Sequence, residues 1–238
     1  MCIRDRRRSI VRFEQGATTG RLEEARAASV RINAAESKRK GAARALEILR
    51  NRIGFFGYDG GNNRTFGFLN EPNLPAYVSV ATGAGGGTAW SGKTFIEIVS
   101  DILTAIAQLR TQSGDTVDPT TNKLTLATST STKDFLSTTS DFGQTVYKWL
   151  AENYPKIRVD SAIELDGANG GQNVFYLYAD SVDESGSDDL ATFLQVVPSK
   201  FQSMGVDQRG KNYTESYANA TSGVLLKRPF AVVRYTGV

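Results

Sequence analysis

The sequence predicts an α+β fold, and three observations carry that expectation. Two long stretches, 34–53 and 93–109, repeat apolar residues at helical spacing. Short strand candidates are scattered between and after them, and the segments never settle into a regular strand–helix–strand alternation. No internal repeat is visible.

Taken in order, residues 1–16 show no clear periodicity, and Arg4, Arg6, Arg7, Arg8 and Arg12 make them a basic N-terminal tail. A short helix is expected next, with Thr19 as N-cap and Glu23 and Glu24 in the first turns, where the helix dipole favours acids. It should break near 29–32, which holds two β-branched residues. Asn33 with Glu36 three places on is a variant of the capping box, so a longer helix begins there. Ala35, Ala42, Leu46, Leu49 and Ile53 form its apolar face, and Gly54 or Gly57 should end it.

Residues 57–89 are rich in glycine and proline, including Gly60, Gly61, Pro72 and Pro75, and read as a seam between two lobes. Only 77–81 looks like a strand within it. From 93 to 109, Phe95, Ile98, Val99, Ile102, Leu103, Ile106 and Leu109 make a wide buried stripe on one helix. A strand at 123–128, a short helix at 132–138 and a helix at 144–153, stopped by Pro155, follow. Further strands are expected at 158–164, 173–178 and 193–197, with a turn at 167–171. Residues 180–189 read as a solvated acidic loop. The tail from Tyr213 to Val238 reads as a hairpin or a pair of long strands, with the turn at Ser222 and Gly223 and Pro229 at a bulge or an edge.

Composition narrows the chemistry. The 238 residues carry a net charge of +3, too little to imply a nucleic-acid binder by itself. There is no histidine, which removes the commonest general base and metal ligand. Cys2 is the only cysteine, so no internal disulfide, thiolate metal cluster or Cys–His pair can form. No apolar run approaches the ~20 residues of a membrane span, and no membrane association is expected. Neither catalytic nor metal-binding residues stand out, and no cofactor is expected.

One motif is chemically loud. Residues 87–94 match the phosphate-binding loop pattern, with Gly87, Gly92, Lys93 and Thr94 at the specified positions. In such a loop backbone amides cradle phosphates, the lysine reaches the β and γ oxygens and the threonine holds Mg²⁺. Against an ATPase stand five flexible residues, 82–86, where a buried strand should run into the first glycine. Trp90 is also large for a loop that wraps phosphate, and the alternating fold is missing. The preferred reading is a linker feeding a helix, with Lys93 in its first turn. Replacing Lys93 with Ala should then do little, whereas it should abolish nucleotide binding in an ATPase.

Four landmarks together resemble the encapsulin-like major capsid proteins of tailed bacteriophages. The first is the helix through Arg52 and Ile53 into Gly57; the second is Gly67, Leu69, Asn70 and Pro72. The third is Trp90 with Lys93 and the helix holding Asp101 and Ile102. The fourth is the ending with Gly223, Arg228, Pro229 and Gly237. The resemblance covers about residues 20–238 and marks Gly57, Gly67, Leu69, Asn70, Pro72, Trp90, Lys93, Gly223, Arg228, Pro229 and Gly237 as family-motif or assembly residues. It implies a Johnson-type capsid fold with a peripheral lobe, built from a long spine helix plus antiparallel strands, and an axial lobe, a mixed sheet flanked by helices. Helices at 17–56, with the spine at 34–53, would belong to the peripheral lobe, 57–89 would connect, and 90–205 would be axial. Strands at 206–238 would return to the peripheral lobe.

It further implies a subunit of an icosahedral shell, arranged as pentamers and hexamers in a virion, assembled in the host bacterial cytoplasm and acting without catalysis. Packaged DNA would make weak non-specific contacts, and portal and scaffold proteins would be partners. The alternatives are an encapsulin nanocompartment enclosing protein cargo and the nucleotide-binding ATPase. Family members carry an N-terminal arm and an extended hairpin loop before the spine helix. With only ~20 residues ahead of the first helical pattern here, the chain is expected to be an N-terminally truncated fragment, which bears on its competence to assemble.

Overall fold

The computed structural model describes residues 8–59, 63–182 and 189–238. Cys2, Arg4, Arg6, Arg7, Gly60, Gly61 and most of the acidic loop lie outside the described residues. In chain order the elements are β1 (Val11–Gly20), α1 (Arg21–Ser29), α2 (Ala34–Phe56), β2 (Tyr77–Ser79), α3 (Phe95–Ser113), β3 (Leu124–Ser129) and α4 (Thr130–Lys133). They continue with α5 (Val146–Asn153), β4 (Ile157–Ala162), β5 (Val174–Ala179), β6 (Phe193–Gln195), β7 (Ser199–Arg209), β8 (Asn212–Thr221), β9 (Val224–Leu226) and β10 (Val232–Thr236). The chain divides into two compact units, Met1–Pro72 with Gln195–Leu225, and Asn73–Leu194 with Leu226–Val238.

The first unit lays α2 on a three-stranded sheet ordered β1-β8-β7. Two differences from the sequence reading stand out. Residues 11–20, expected as the end of a tail and the start of a helix, form β1, antiparallel to β8 from Val11↔Thr221 to Gly20↔Asn212. Thr19 is therefore a strand residue, buried at 2% exposure, and α1 starts after Gly20 with no side-chain cap. Glu23 and Glu24 do occupy its first turn. The second difference is the hairpin. It joins β7 to β8 through Gly210 and Lys211, ahead of the predicted turn at Ser222 and Gly223.

α2 begins where expected: Asn33 Oδ1 accepts from the Glu36 amide at 3.0 Å, satisfying one of the free N–H groups of the first turn. Ala42, Leu46 and Ile53 are buried, but Leu49 is exposed. Ala42 and Leu46 pack with Ala17 and Tyr217, flanked by Phe13 and Phe201. The Phe201 ring stacks on Tyr217 at 4.5 Å, made possible by a bulge in β7 that puts Phe201 at φ 47°.

The second unit holds a five-stranded sheet ordered β2-β10-β5-β3-β4. β10 and β3 flank β5 antiparallel, whereas β2 and β4 run parallel to their neighbours β10 and β3. β5 is apolar on both faces, as a strand covered on both sides should be: Val174, Phe175, Tyr176 and Leu177 are fully buried. α3 contributes Ile98, Val99, Ile102, Ile106 and Leu109 to the same core, while the expected stripe residue Leu103 is 38% exposed. Gly114, at φ 60°, caps α3 in the left-handed conformation. Pro229 lies in a 3-10 turn, Pro229–Ala231, in place of a strand bulge. The tail does not return whole to the first unit: residues from Leu226 onward, β10 included, belong to the second.

Candidate functional site

In the first unit, Gly57, Gly67, Leu69, Asn70 and Gly223, the positions the sequence resemblance picked out, converge on the C-terminal end of α2. A helix end leaves carbonyls without intrahelical donors, and here a neighbouring loop supplies them. The Phe68 amide donates to Gly54 O at 2.8 Å, the Leu69 amide to Phe55 O at 3.0 Å, and Asn70 Nδ2 to Phe56 O at 2.8 Å. Asn70 Oδ1 in turn accepts from the Gly67 amide at 2.6 Å. Asn70 thus seals the helix and holds its own loop with one side chain.

The glycines are there because backbone meets backbone. A Cβ on Gly67 would lie 2.3 Å from Phe55 O, and one on Gly223 would lie 2.1 Å from Phe66 O. Gly57 turns the chain at φ 73°, and Gly223 does so at φ 77°. The Val224 amide then donates to Phe66 O at 2.8 Å. Pro72 ends this loop, after a buried Glu71 that pairs with Arg8. The Arg8 guanidinium also lies 4.8 Å over the Phe66 ring.

In the second unit, Trp90 and Lys93 are brought together on Asp101, which the third landmark named only as part of its helix, with no contact assigned. Asp101 Oδ2 accepts from Lys93 Nζ at 2.6 Å and from Trp90 Nε1 at 2.9 Å. The Lys93 and Asp101 side chains are 1% and 5% exposed, so this is a buried ion pair. An acid set between Ile98 and Ile102 on an apolar stripe was the legible signal. Lys93 precedes α3 and is not in its first turn, while Thr94 is the N-cap in a complete capping box with Glu97. The Thr94 amide, and after it the Ala84 amide, hold the Glu97 carboxyl below its ordinary value.

Three of the amides that a phosphate would need, those of Gly92, Lys93 and Thr94, are turned inward. The Gly92 amide donates to Ala89 O, the Lys93 amide to Trp90 O and the Thr94 amide to Glu97. Gly87 uses its carbonyl to accept from the Gly83 amide at 2.8 Å. The segment is a built connection between β2 and α3, with its lysine committed to a carboxylate.

The C-terminal landmarks are also structural contacts of the second unit. Arg228 Nη1 donates to Ala191 O at 3.0 Å, and Gln112 Nε2 donates to Pro229 O at 3.0 Å. Gly237, at φ 91°, donates to Asn173 O, and a Cβ there would lie 3.0 Å from Thr88 Oγ1. Rings continue the link: Tyr235 stacks on Phe175 at 5.0 Å, and Phe175 meets Trp90 at 5.4 Å. Arg234 was missed altogether. Its guanidinium lies 4.0 Å over the Tyr77 ring and its Nε donates to Pro75 O at 2.6 Å. Tyr77 and Tyr176 share a hydroxyl hydrogen bond of 2.8 Å, and burial, with Tyr77 next, pushes the Tyr176 phenol above its ordinary range.

Among the described residues no group of three or more Cys, Asp or Glu could hold a metal ion, and no helix is long and apolar enough to cross a membrane. The arrangement fixes backbone at two places, the end of α2 and the start of α3.

A model of one protein family, described as Pa193 gp26 major capsid protein, matches residues 6–237. No curated protein matches the chain. Among solved structures, the chain is similar to one described as the capsid of Myoviridae Phage XM1, at 17% identity and a TM-score of 0.72, covering 96% of this chain and 74% of that one. It is also similar to the capsid of a native GTA particle, at 9% identity and a TM-score of 0.61, covering 95% and 72%. A virus-like particle from Pyrococcus furiosus shares 14% identity and a TM-score of 0.58, covering 95% and 75%. At these identities the likeness to the solved structures is one of fold.

Proposed function

The chain belongs to the Pa193 gp26 major capsid protein family and is a structural subunit of a phage capsid shell, and from that premise we propose how it works. Many copies close into an icosahedral shell of pentamers and hexamers around viral DNA, by geometry and without a catalysed reaction. The observation that carries this reading is a family match spanning residues 6–237, which takes in both compact units. The first unit serves as the peripheral lobe with α2 as its spine, and the second as the axial lobe near the symmetry axes.

The physics of such a shell is repetition. One pair of complementary surfaces, used head to tail, closes into a ring or a cage when the rotation allows. Contacts that are weak singly add up through multivalency to a durable container. Basic residues facing inward screen packaged phosphates through weak, salt-dependent contacts. Assembly takes place in the host bacterial cytoplasm, with portal and scaffold proteins as further partners. Gly87, Gly92, Lys93 and Thr94 serve the fold of the second unit and hold no nucleotide.

Light scattering of the purified chain in moderate salt tests the proposal. Uniform megadalton particles support a closed shell. A monomer that persists across protein and salt concentrations overturns self-assembly by this chain.

A further inference from the structure

Phe142 is 98% exposed, the most exposed large apolar side chain among the described residues. Its loop is nonetheless tightly built. Thr139 and Thr145 form a bridge, the Ser140 amide donates to Gln144 O at 2.8 Å, and the Gly143 amide donates to Ser140 O at 2.9 Å. Gly143 turns the chain at φ 77°, and the Gln144 amide donates to Ser140 Oγ at 3.2 Å. Holding an aromatic ring in water on a hydrogen-bonded turn gains nothing for the isolated subunit, since a buried aromatic removes ~150–250 Å² of surface from solvent. Tyr147, on the first turn of α5, is 55% exposed beside it in sequence.

The same unit carries an open recess. This shallow recess of about 460 Å³ is lined by Leu103, Ile106, Ala107, Arg110, Thr111 and Tyr154. Leu103, Ala107 and Thr111 recur every fourth residue along the outward side of α3, which explains why Leu103 fell out of the core stripe. Arg110 stands in this lining and uses Nε for Asp115 at 2.9 Å. Its guanidinium has further donors in a fixed fork, and Asp141, exposed next to Phe142, supplies a carboxylate of the right sign.

Knob and hollow lie at opposite ends of α5. Phe142 precedes its first residue, Val146, by four positions, and Tyr154 is its C-cap. A helix of this length spans ~12 Å. A projection and a recess at different places on one rigid unit are what a heterologous, head-to-tail contact requires. We infer that Phe142 of one copy inserts into the Leu103–Ala107–Tyr154 hollow of the next, with Asp141 meeting Arg110. The contact specifies a joint within the shell and rests on the shell reading given above.

Paired cysteines test it. In a Cys2→Ser background, Phe142→Cys and Ala107→Cys are combined and treated with a short bismaleimide, with each single cysteine variant as control. Both positions are exposed, and circular dichroism of each variant checks that the fold is kept. The expected result is a ladder of covalent dimers, trimers and higher multimers from the double variant, absent from both singles. A double variant that yields no more multimer than the singles overturns the contact. Particle size, read separately by light scattering, keeps the two readings apart. Particles without a ladder remove this joint and leave the shell, while a ladder without particles keeps the joint and removes the closed shell. Phe142→Ala should in addition raise the protein concentration needed for association by roughly tenfold, as for a central aromatic anchor; an unchanged threshold counts against the joint.

Discussion

Replacing Lys93 with Ala probes the start of α3 most directly, and the structure reverses the expectation drawn from sequence. A lysine on a flexible linker can be lost at little cost. Here its ammonium is buried 2.6 Å from Asp101, whose only other hydrogen-bond donor among the described contacts is Trp90 Nε1 at 2.9 Å. The substitution leaves a carboxylate in the core without its counter-charge. Breaking a buried pair from one side costs about 3–5 kcal/mol. For a chain of this size each kcal/mol is worth ~2–4 °C in melting temperature, so the variant should melt roughly 6–20 °C lower.

Circular dichroism follows the loss of secondary structure, and tryptophan fluorescence in a Trp149→Phe background reports Trp90. Lys93→Met with Asp101→Leu removes both charges together and should recover most of the deficit, because apolar replacement of a whole buried pair is often neutral. The deficit of the single variant should persist at 1 M salt, since buried pairs are screened little. A Lys93→Ala protein that melts within ~2–4 °C of the parent, about 1 kcal/mol, refutes the reasoning. So would a deficit that disappears in salt.

Two glycines in the first unit should respond oppositely to Ala. Gly67→Ala drives a Cβ to 2.3 Å from Phe55 O and 2.5 Å from Gly57 N, and should cost at least ~1–3 kcal/mol in denaturant titrations. Gly41→Ala, in α2 with nothing within 4 Å of its Cβ, should stabilise by about 1 kcal/mol. Glu215 predicts a pH effect. Hydrogen bonds from Arg39, then Tyr217, hold its carboxyl below the ordinary 4.5, so the folded value is the lower one. Its stabilising contribution is complete above pH 4.5 and is lost as pH falls through the depressed value. Melting temperatures of the parent and Glu215→Gln should therefore differ near neutrality and converge in acid; a constant gap counts against the pair.

The helices were legible because their information is local. Apolar spacing alone located α3, and the Asn33–Glu36 pair located the start of α2. β5 was legible for a related reason, being apolar on both faces over a short run. β1 was not, because its partner strand lies two hundred positions away, and Val11↔Thr221 leaves no trace in either segment alone. The hairpin was misplaced for a different reason. Gly210 and Gly223 both take positive φ, at 59° and 77°, and a sequence cannot say which of two turn-competent glycines reverses the chain. Gly223 is used for close approach to Phe66, which no local pattern encodes. The polar, exposed β7 before Gly210 offers no apolar alternation to mark it as a strand.

The segment from Gly87 to Thr94 shows how one string of letters can meet two unrelated demands. A phosphate loop needs glycines so that amides point at an anion, a lysine free to reach it and a hydroxyl free for a metal ion. This segment needs a tight connection into α3, a threonine to cap that helix, and a cation long enough to reach back to Asp101. The residue types coincide because a helix start is what both demands share. What separates them is the fate of the donors, and here the amides of Gly92, Lys93 and Thr94 all end on acceptors of the chain itself. A motif of this kind therefore acquires chemical meaning only from groups left over once the fold has taken its share. In this chain the fold has taken the lysine as well, as the buried pair with Asp101 shows.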